Sequence, residues 1–220
     1  MVIIAGPSGA GKSSLFSVYG MKGVDAFNVD DRAAQLYAQS LGRGTPIYVD
    51  IPPSIRELAR SAMRDFIDEH LEQRRSFAFE TTLRDVTFEQ TRKASELGFD
   101  VQMAFIAAGS VEEHIARVSN RAEMAGHSAP PDALREIYTR AMGHLLDAFR
   151  ACRNGEIESL NVFHNPRTAG VPANPVRIIG VVAGRVSFLA PTAPDWFHDA
   201  TRGTGFEFSK LQALTATALL

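Results

Sequence analysis

A chain of 220 residues, 45% hydrophobic and 22% charged, is long enough for one large domain and ordinary in composition for a soluble globular protein. Its formal net charge of −2 supplies no global field for nucleic acid or an anionic membrane, so neither is expected as a partner. One cysteine, Cys152, excludes an internal disulfide framework. No apolar run approaches the ~18 residues of a membrane span, and the opening residues lack the basic region of a secretory signal, so a reducing, cytoplasmic setting is expected.

Val2–Ala5 reads as a buried strand, and the segment from Lys12 to about Met21 as a helix. Val24–Val29 is predicted as a second strand ending in Asp30 and Asp31, with a helix through Leu41 after it. In "SIRELARSAMRDFIDEHLEQRR" the apolar positions recur with helical period, and Ser54 and Glu57 have capping-box spacing. "SFAFETTL" is a third strand leading to a helix that ends near Gly98, and "FDVQMAFIA" is a fourth strand. Ser110 and Glu113 repeat the capping-box spacing before a helix through about Met124, and a further helix covers roughly Asp132–Ala151. From Leu160 to Leu189, two or three short strand-like runs are separated by "HNPRTAGVPANP". Strands alternating with helices predict an α/β fold with a mostly parallel sheet and helices on both faces, in one domain over 1–220. In the tail, 199–220, Phe206, Phe208, Leu211, Leu214 and Leu219 are too apolar to lie free without a partner; a final helix docked on the domain is expected, against the alternative of a surface used by a neighbouring subunit or a regulator.

The first loop carries the chemistry. Gly6-Pro7-Ser8-Gly9-Ala10-Gly11-Lys12-Ser13 matches G-x-x-x-x-G-K-[ST], the P-loop of the three-layer P-loop NTPase fold, with Ser14 next to it. Glycines let successive backbone N–H groups turn inward around a nucleotide's phosphates, and the helix that follows adds the positive end of its dipole. Lys12 is expected to reach the β/γ oxygens of ATP or GTP, and the Ser13 hydroxyl to ligate Mg²⁺.

A P-loop alone does not separate a switch, a motor and a kinase. Asp30, at the carboxyl end of the second strand, can take the proton of an attacking hydroxyl, which points to phosphoryl transfer; capping of the following helix by Asp30 or Asp31 is the structural alternative. Glu80, Thr81 and Thr82 form a polar cluster at the end of the third strand, suited to an acceptor's hydroxyls or to Mg²⁺ through water. Helix capping by Thr81 or Thr82 is the competing role there. Arg117 and Arg121, four apart, share a helix face, whereas Arg135 and Arg140, five apart, do not. Arginines on a lid can neutralise the transferring phosphoryl group, against the plain alternative of solvated helix surface. His127 lies in "EMAGHSAPPD", which has the glycine and prolines of a loop.

Taken together, these residues resemble the zeta toxin family of P-loop kinases over about Val2–Trp196. The likeness rests on the P-loop, "FNVDDRAAQL", "FAFETTL" and "IARVSNRAEMAGHSAPPDALREIYTRA". Ala125 stands where the family has the first glycine of Gly-Gly-His, and Glu136 and Ile137 stand before Tyr138 where it has arginine. The resemblance implies that Asp30 is the catalytic base, that Glu80 and Thr81 contact the acceptor, and that Arg121 and Arg140 contact the nucleotide phosphates. It also places Asn165, in "VFHNP", near the nucleotide base. It further implies UDP-N-acetylglucosamine as acceptor and a small antitoxin as partner. A kinase for another small acceptor, and a degenerate nucleotide-binding switch that holds a partner, are the competing readings.

Overall fold

The computed structural model describes residues 1–13, 23–125, 129–166 and 175–217. Among them, seven strands form one sheet: β1 (Val2–Ala5), β2 (Asp25–Phe27), β3 (Phe77–Thr81), β4 (Gln102–Ala107), β5 (Ser159–His164), β6 (Val176–Val182) and β7 (Arg185–Leu189). Their order across the sheet is β2-β3-β1-β4-β5-β6-β7. The first five run parallel, and β6 and β7 close the far side as antiparallel strands. The helices are α1 (Val29–Ser40), α2 (Pro53–Glu72), α3 (Asp85–Glu96), α4 (Val111–Ala125), α5 (Pro131–Arg153), α6 (Asp195–Thr201) and α7 (Phe208–Thr217). The fold is the α/β, mostly parallel arrangement that the alternation of patterns predicts.

Strand alternation sends side chains to two cores. Ile3, Phe77, Phe79, Met103 and Phe105 enter the large one, with Ile67 and Leu71 of α2, Ala94 of α3 and Leu145 and Phe149 of α5. Ile4, Ala104, Ile106 and Phe163 point the other way and bury Ala10 of the first loop. Burial on both faces is why these strands read as continuous apolar runs. Lys12 and Ser13 are helical, and the rest of the helix predicted to about Met21 lies outside the described residues.

Two local expectations need correction. The second strand stops at Phe27 rather than Val29, because the Asn28 side chain accepts from the backbone of Asp30 and Asp31 and starts α1. The cap of α1 is therefore Asn28, not an aspartate. Ser54 and Glu57 do not cap α2, which begins one residue earlier with Pro53 at its first position and no side-chain cap. Proline fits there since the first N–H of a helix has no partner to lose.

Phe206 stacks on Phe149 with ring centroids 4.9 Å apart, and Phe208 and Leu211 are buried in the large core. The tail is thus docked on its own domain through these three residues, while the side chains of Leu214 and Leu219 lie outside the described residues. Truncating Phe208 to alanine would open a void beside Phe197 and His198. We expect a loss of about 3–5 kcal/mol, measured as a lower urea midpoint; an unchanged midpoint would show that α7 is not part of the folded unit.

Candidate active site

Sheet register brings three strand ends together. Ile4 and Ala5 of β1 sit beside Glu80 and Thr81 of β3, and Phe27 of β2 sits beside Phe79. The P-loop leaves β1, Asn28 leaves β2, and Glu80 stands between them. One carboxylate joins all three: Glu80 Oε2 accepts from Ser13 Oγ at 3.3 Å and from Asn28 Nδ2 at 3.1 Å, and Oε1 lies 3.6 Å from Lys12 Nζ. The Lys12 ammonium also donates to the Pro7 carbonyl at 3.1 Å, so a buried lysine is held inside its own loop.

Asn28 uses both ends of its amide. While Nδ2 donates to Glu80, Oδ1 accepts from the Asp30 and Asp31 backbone at 2.9 and 3.2 Å. That fixes Asp30 in the first turn of α1, two residues beyond the asparagine that holds Glu80. Asp31 accepts from the Tyr48 hydroxyl at 2.9 Å, whereas the Asp30 side chain is exposed and has no partner among the described residues. A cleft of about 520 Å³ runs beside this turn, lined in part by Asn28, Asp31, Arg32, Gln35, Asp65 and Glu69.

On the other side, the loop is braced by Asn165 and Arg117, which the sequence singles out, and by His114, which it does not. His114, on α4 and only 2% exposed, meets the Ser8 carbonyl through Nδ1 at 2.9 Å and receives the Ala108 N–H on Nε2 at 3.0 Å. Asn165, just past β5, donates from Nδ2 to the Ala10 carbonyl at 2.8 Å. Its Oδ1 is buried without a partner among the described residues. Arg117 donates to the Asn165 carbonyl at 2.9 Å and to Glu113, tying α4 to the end of β5. These contacts leave no room for a side chain at Gly9 or Gly11. A Cβ on Gly9 would stand 2.5 Å from the His114 carbonyl, and one on Gly11 would collide with Asn165 Nδ2. The glycines are needed for packing against the protein as well as for access to phosphate.

Thr81 faces inward: its hydroxyl accepts from the Leu83 N–H at 3.1 Å and lies 3.5 Å from Thr87 Oγ1, shaping the turn after β3. Neither Thr81 nor Thr82 caps α3, since Arg84 is its N-cap residue and Thr87 receives the Arg84 N–H at 3.4 Å. Thr82 is half-buried. The hydroxyl of Tyr138 donates to the Gly109 carbonyl at 3.0 Å and its ring packs on His114, so this face of α5 meets the site. Arg140, exposed and two residues on, is turned about 200° around the helix from Tyr138. Among the described residues Arg140 has no hydrogen bond or ion pair with the P-loop. Arg135 pairs with Asp132 at 3.3 Å. Ser14, His127 and the side chain of Arg121 lie outside the described residues. Asn28 and His114 are the residues that sequence reading missed; the asparagine ahead of two aspartates carried a capping signal, and the histidine carried none.

The family profile of the zeta toxins matches residues 1–170. This chain belongs to the zeta toxin family. No curated protein matches its sequence at a significant level. Among solved structures, the chain is similar to the AvrRxo1-ORF1:AvrRxo1-ORF2 assembly with ATP, at TM-score 0.63 and 13% identity over 98% of this chain and 75% of that one. The native AvrRxo1 complex gives TM-score 0.61 and 16% identity over 84% of this chain, which spans only 59% of that protein's length. The PezAT chromosomal toxin–antitoxin system of Streptococcus pneumoniae gives TM-score 0.53 and 15% identity, covering 74% of this chain and 66% of that one. Likeness at these identities concerns the fold: a zeta toxin domain built on the P-loop kinase sheet.

Burial lowers the His114 pKa from 6.5 to about 4, helped by the positive charges of Arg117 and Lys12 and opposed by the Ser8 contact and by Glu113. His164, whose Nδ1 accepts from Trp196 Nε1 at 3.2 Å, is held low by burial too. The unfolded chain therefore binds these protons first, and folding stability falls as pH drops from 6.5 towards 4. For His114 the loss at pH 4 is about 3 kcal/mol. Chemical unfolding between pH 7 and 4.5 should show the wild type losing stability more steeply than His114→Asn; parallel slopes would contradict the assignment.

Proposed function

We propose that this chain is a kinase that moves the γ-phosphoryl group of ATP to a hydroxyl of a small molecule, with a UDP-sugar of the UDP-N-acetylglucosamine kind as acceptor. The junction at Glu80 carries this reading. One carboxylate touches Ser13 and faces Lys12 on the phosphate side, and on the other it holds Asn28, the cap of the helix that presents Asp30. A nucleotide-binding switch needs only the first half of that arrangement. An available aspartate beside it is what transfer to an acceptor requires.

In the reaction, the acceptor oxygen attacks the γ-phosphorus and its proton passes to a carboxylate oxygen of Asp30. The bond from phosphorus to the β–γ bridging oxygen breaks, and ADP leaves with that electron pair. Lys12 offsets charge on the β/γ oxygens, and Glu80 accepts from acceptor hydroxyls. Ser13 Oγ and, through water, Glu80 are the hard oxygen donors that suit Mg²⁺. The cation would supply neutralisation of phosphate charge. Arg121, Ser14 and His127 are proposed to complete the nucleotide and acceptor contacts, and Asn165 and Arg117 to support the loop from beneath. The cleft beside Asp31, with Phe27 and Phe66 among its charged and amide side chains, is the space proposed for the acceptor. The family and the two-component assemblies it resembles also support a small antitoxin as regulator. Among the described residues no helix is long and apolar enough to cross a membrane, and the proposed substrates place the reaction in the cytoplasm.

The test is transfer of label from γ-labelled ATP to UDP-N-acetylglucosamine, with other small hydroxyl compounds in parallel. A labelled sugar nucleotide is expected, and Asp30→Asn should slow its formation by about 10²–10⁴-fold while ATP affinity stays nearly unchanged. Label on another acceptor alone would overturn the UDP-sugar, and acceptor-independent hydrolysis alone would overturn the kinase.

A further inference from the structure

The tip of the phosphate loop is a turn. Ala10 N–H donates to the Pro7 carbonyl at 3.3 Å, and Gly9, the third residue of that turn, has φ +80°. A positive φ at this position marks a type II turn, whereas a type I turn has the central peptide flipped. Glycine tolerates both forms. Within the turn nothing holds the central peptide, Ser8–Gly9, in one orientation, since its carbonyl takes no part in the closing hydrogen bond.

That carbonyl is the one His114 meets. Ala108 N–H can only donate, so Nε2 of the ring must be the acceptor. The proton of the neutral ring then sits on Nδ1, aimed at Ser8 O at 2.9 Å. No described peptide bond is cis, and in a trans peptide the C=O and the following N–H point in opposite directions. Holding the Ser8 carbonyl against α4 therefore turns the Gly9 N–H away from α4.

We propose that His114 is the positioning residue of this loop: its ring selects the type II form and so aims the Gly9 N–H into the cradle for the phosphates of a nucleoside di- or triphosphate. The proposal rests on reading Gly6–Ser13 as a nucleotide cradle. It differs from the roles given to Lys12 and Ser13, because His114 touches no ligand and acts only through a backbone peptide. The charged groups acting on the ring are Lys12 from the loop and Glu113 and Arg117 from its own helix, with Tyr138 packed on its face from α5. A charged ring would set an Nε2–H against the Ala108 N–H, so the device works with the neutral form. Burial keeps the ring neutral far below physiological pH.

Two substitutions separate the ring's two contacts. In His114→Asn, the amide Nδ2 can replace the Nδ1 donor towards Ser8; in His114→Gln, the amide oxygen can replace the Nε2 acceptor towards Ala108. Each keeps one hydrogen bond of two, so a purely structural role predicts similar melting temperatures and similar nucleotide binding. We expect calorimetric titration of the full chain with MgADP to show His114→Asn within about threefold of wild type. His114→Gln should bind about tenfold more weakly, the worth of one aligned donor. Equal affinities for the two variants, or weakening that follows their melting temperatures, would overturn the proposal while leaving the cradle in place. If the wild type bound neither MgADP nor MgATP, the cradle reading itself would fail and take the proposal with it. Should neither variant fold, the wild-type Gly9 amide resonance decides: a downfield shift on adding MgADP supports the proposal, and an unmoved resonance refutes it.

Discussion

Much of the site depends on where the Glu80 carboxylate stands. It accepts from Ser13 and Asn28 and faces Lys12, groups that reach it from the ends of two different strands. A carboxylate largely withdrawn from water needs donors around it, and here they are Ser13 and Asn28, with the Lys12 ammonium facing it. Parallel pairing makes this happen: β2, β3 and β1 lie side by side and end at the same edge of the sheet. In an open α/β sheet that edge is where ligands bind.

The P-loop is held from both sides of the sheet order. Glu80 and Asn28 lie towards the β2 edge, while His114, Asn165 and Arg117 lie towards β4 and β5. Close backbone contacts with α4 and Asn165 leave the loop little freedom to collapse. Preorganisation of this sort lets backbone donors meet charge on a phosphoryl group without rearranging during reaction. The two aspartates differ in their partners: Asp31 is engaged by Tyr48, and the exposed Asp30 side chain has none among the described residues.

The sequence shows what is local and leaves out what is made by register. The P-loop is legible because its backbone demands leave a pattern of glycines ahead of Lys12 and Ser13. Long apolar strands such as "FDVQMAFIA" are legible because parallel strands bury both faces. Asn28 escaped notice because the partner that defines it, Glu80, is 52 residues away. His114 is farther still from Ser8, at 106 residues, and one histidine on an amphipathic helix gives no sign of such a contact. Ser54 and Glu57 show the opposite failure, a correct local spacing overruled by the proline that starts the helix one residue earlier. The resemblance implies an acceptor contact for Thr81, yet Thr81 sits under a turn whose Leu83 has φ +64°, and its hydroxyl serves that backbone.

In the proposed reaction, one buried lysine and its loop hold the phosphates of a nucleotide whose γ-phosphoryl group passes to an acceptor beside Asp30. The most direct measurement is label transfer from γ-labelled ATP by Lys12→Ala, with its melting curve recorded alongside. A folded variant that forms no labelled acceptor is the predicted result. A folded variant that transfers label at near the wild-type rate would show that Lys12 and its loop do not hold the transferred phosphates.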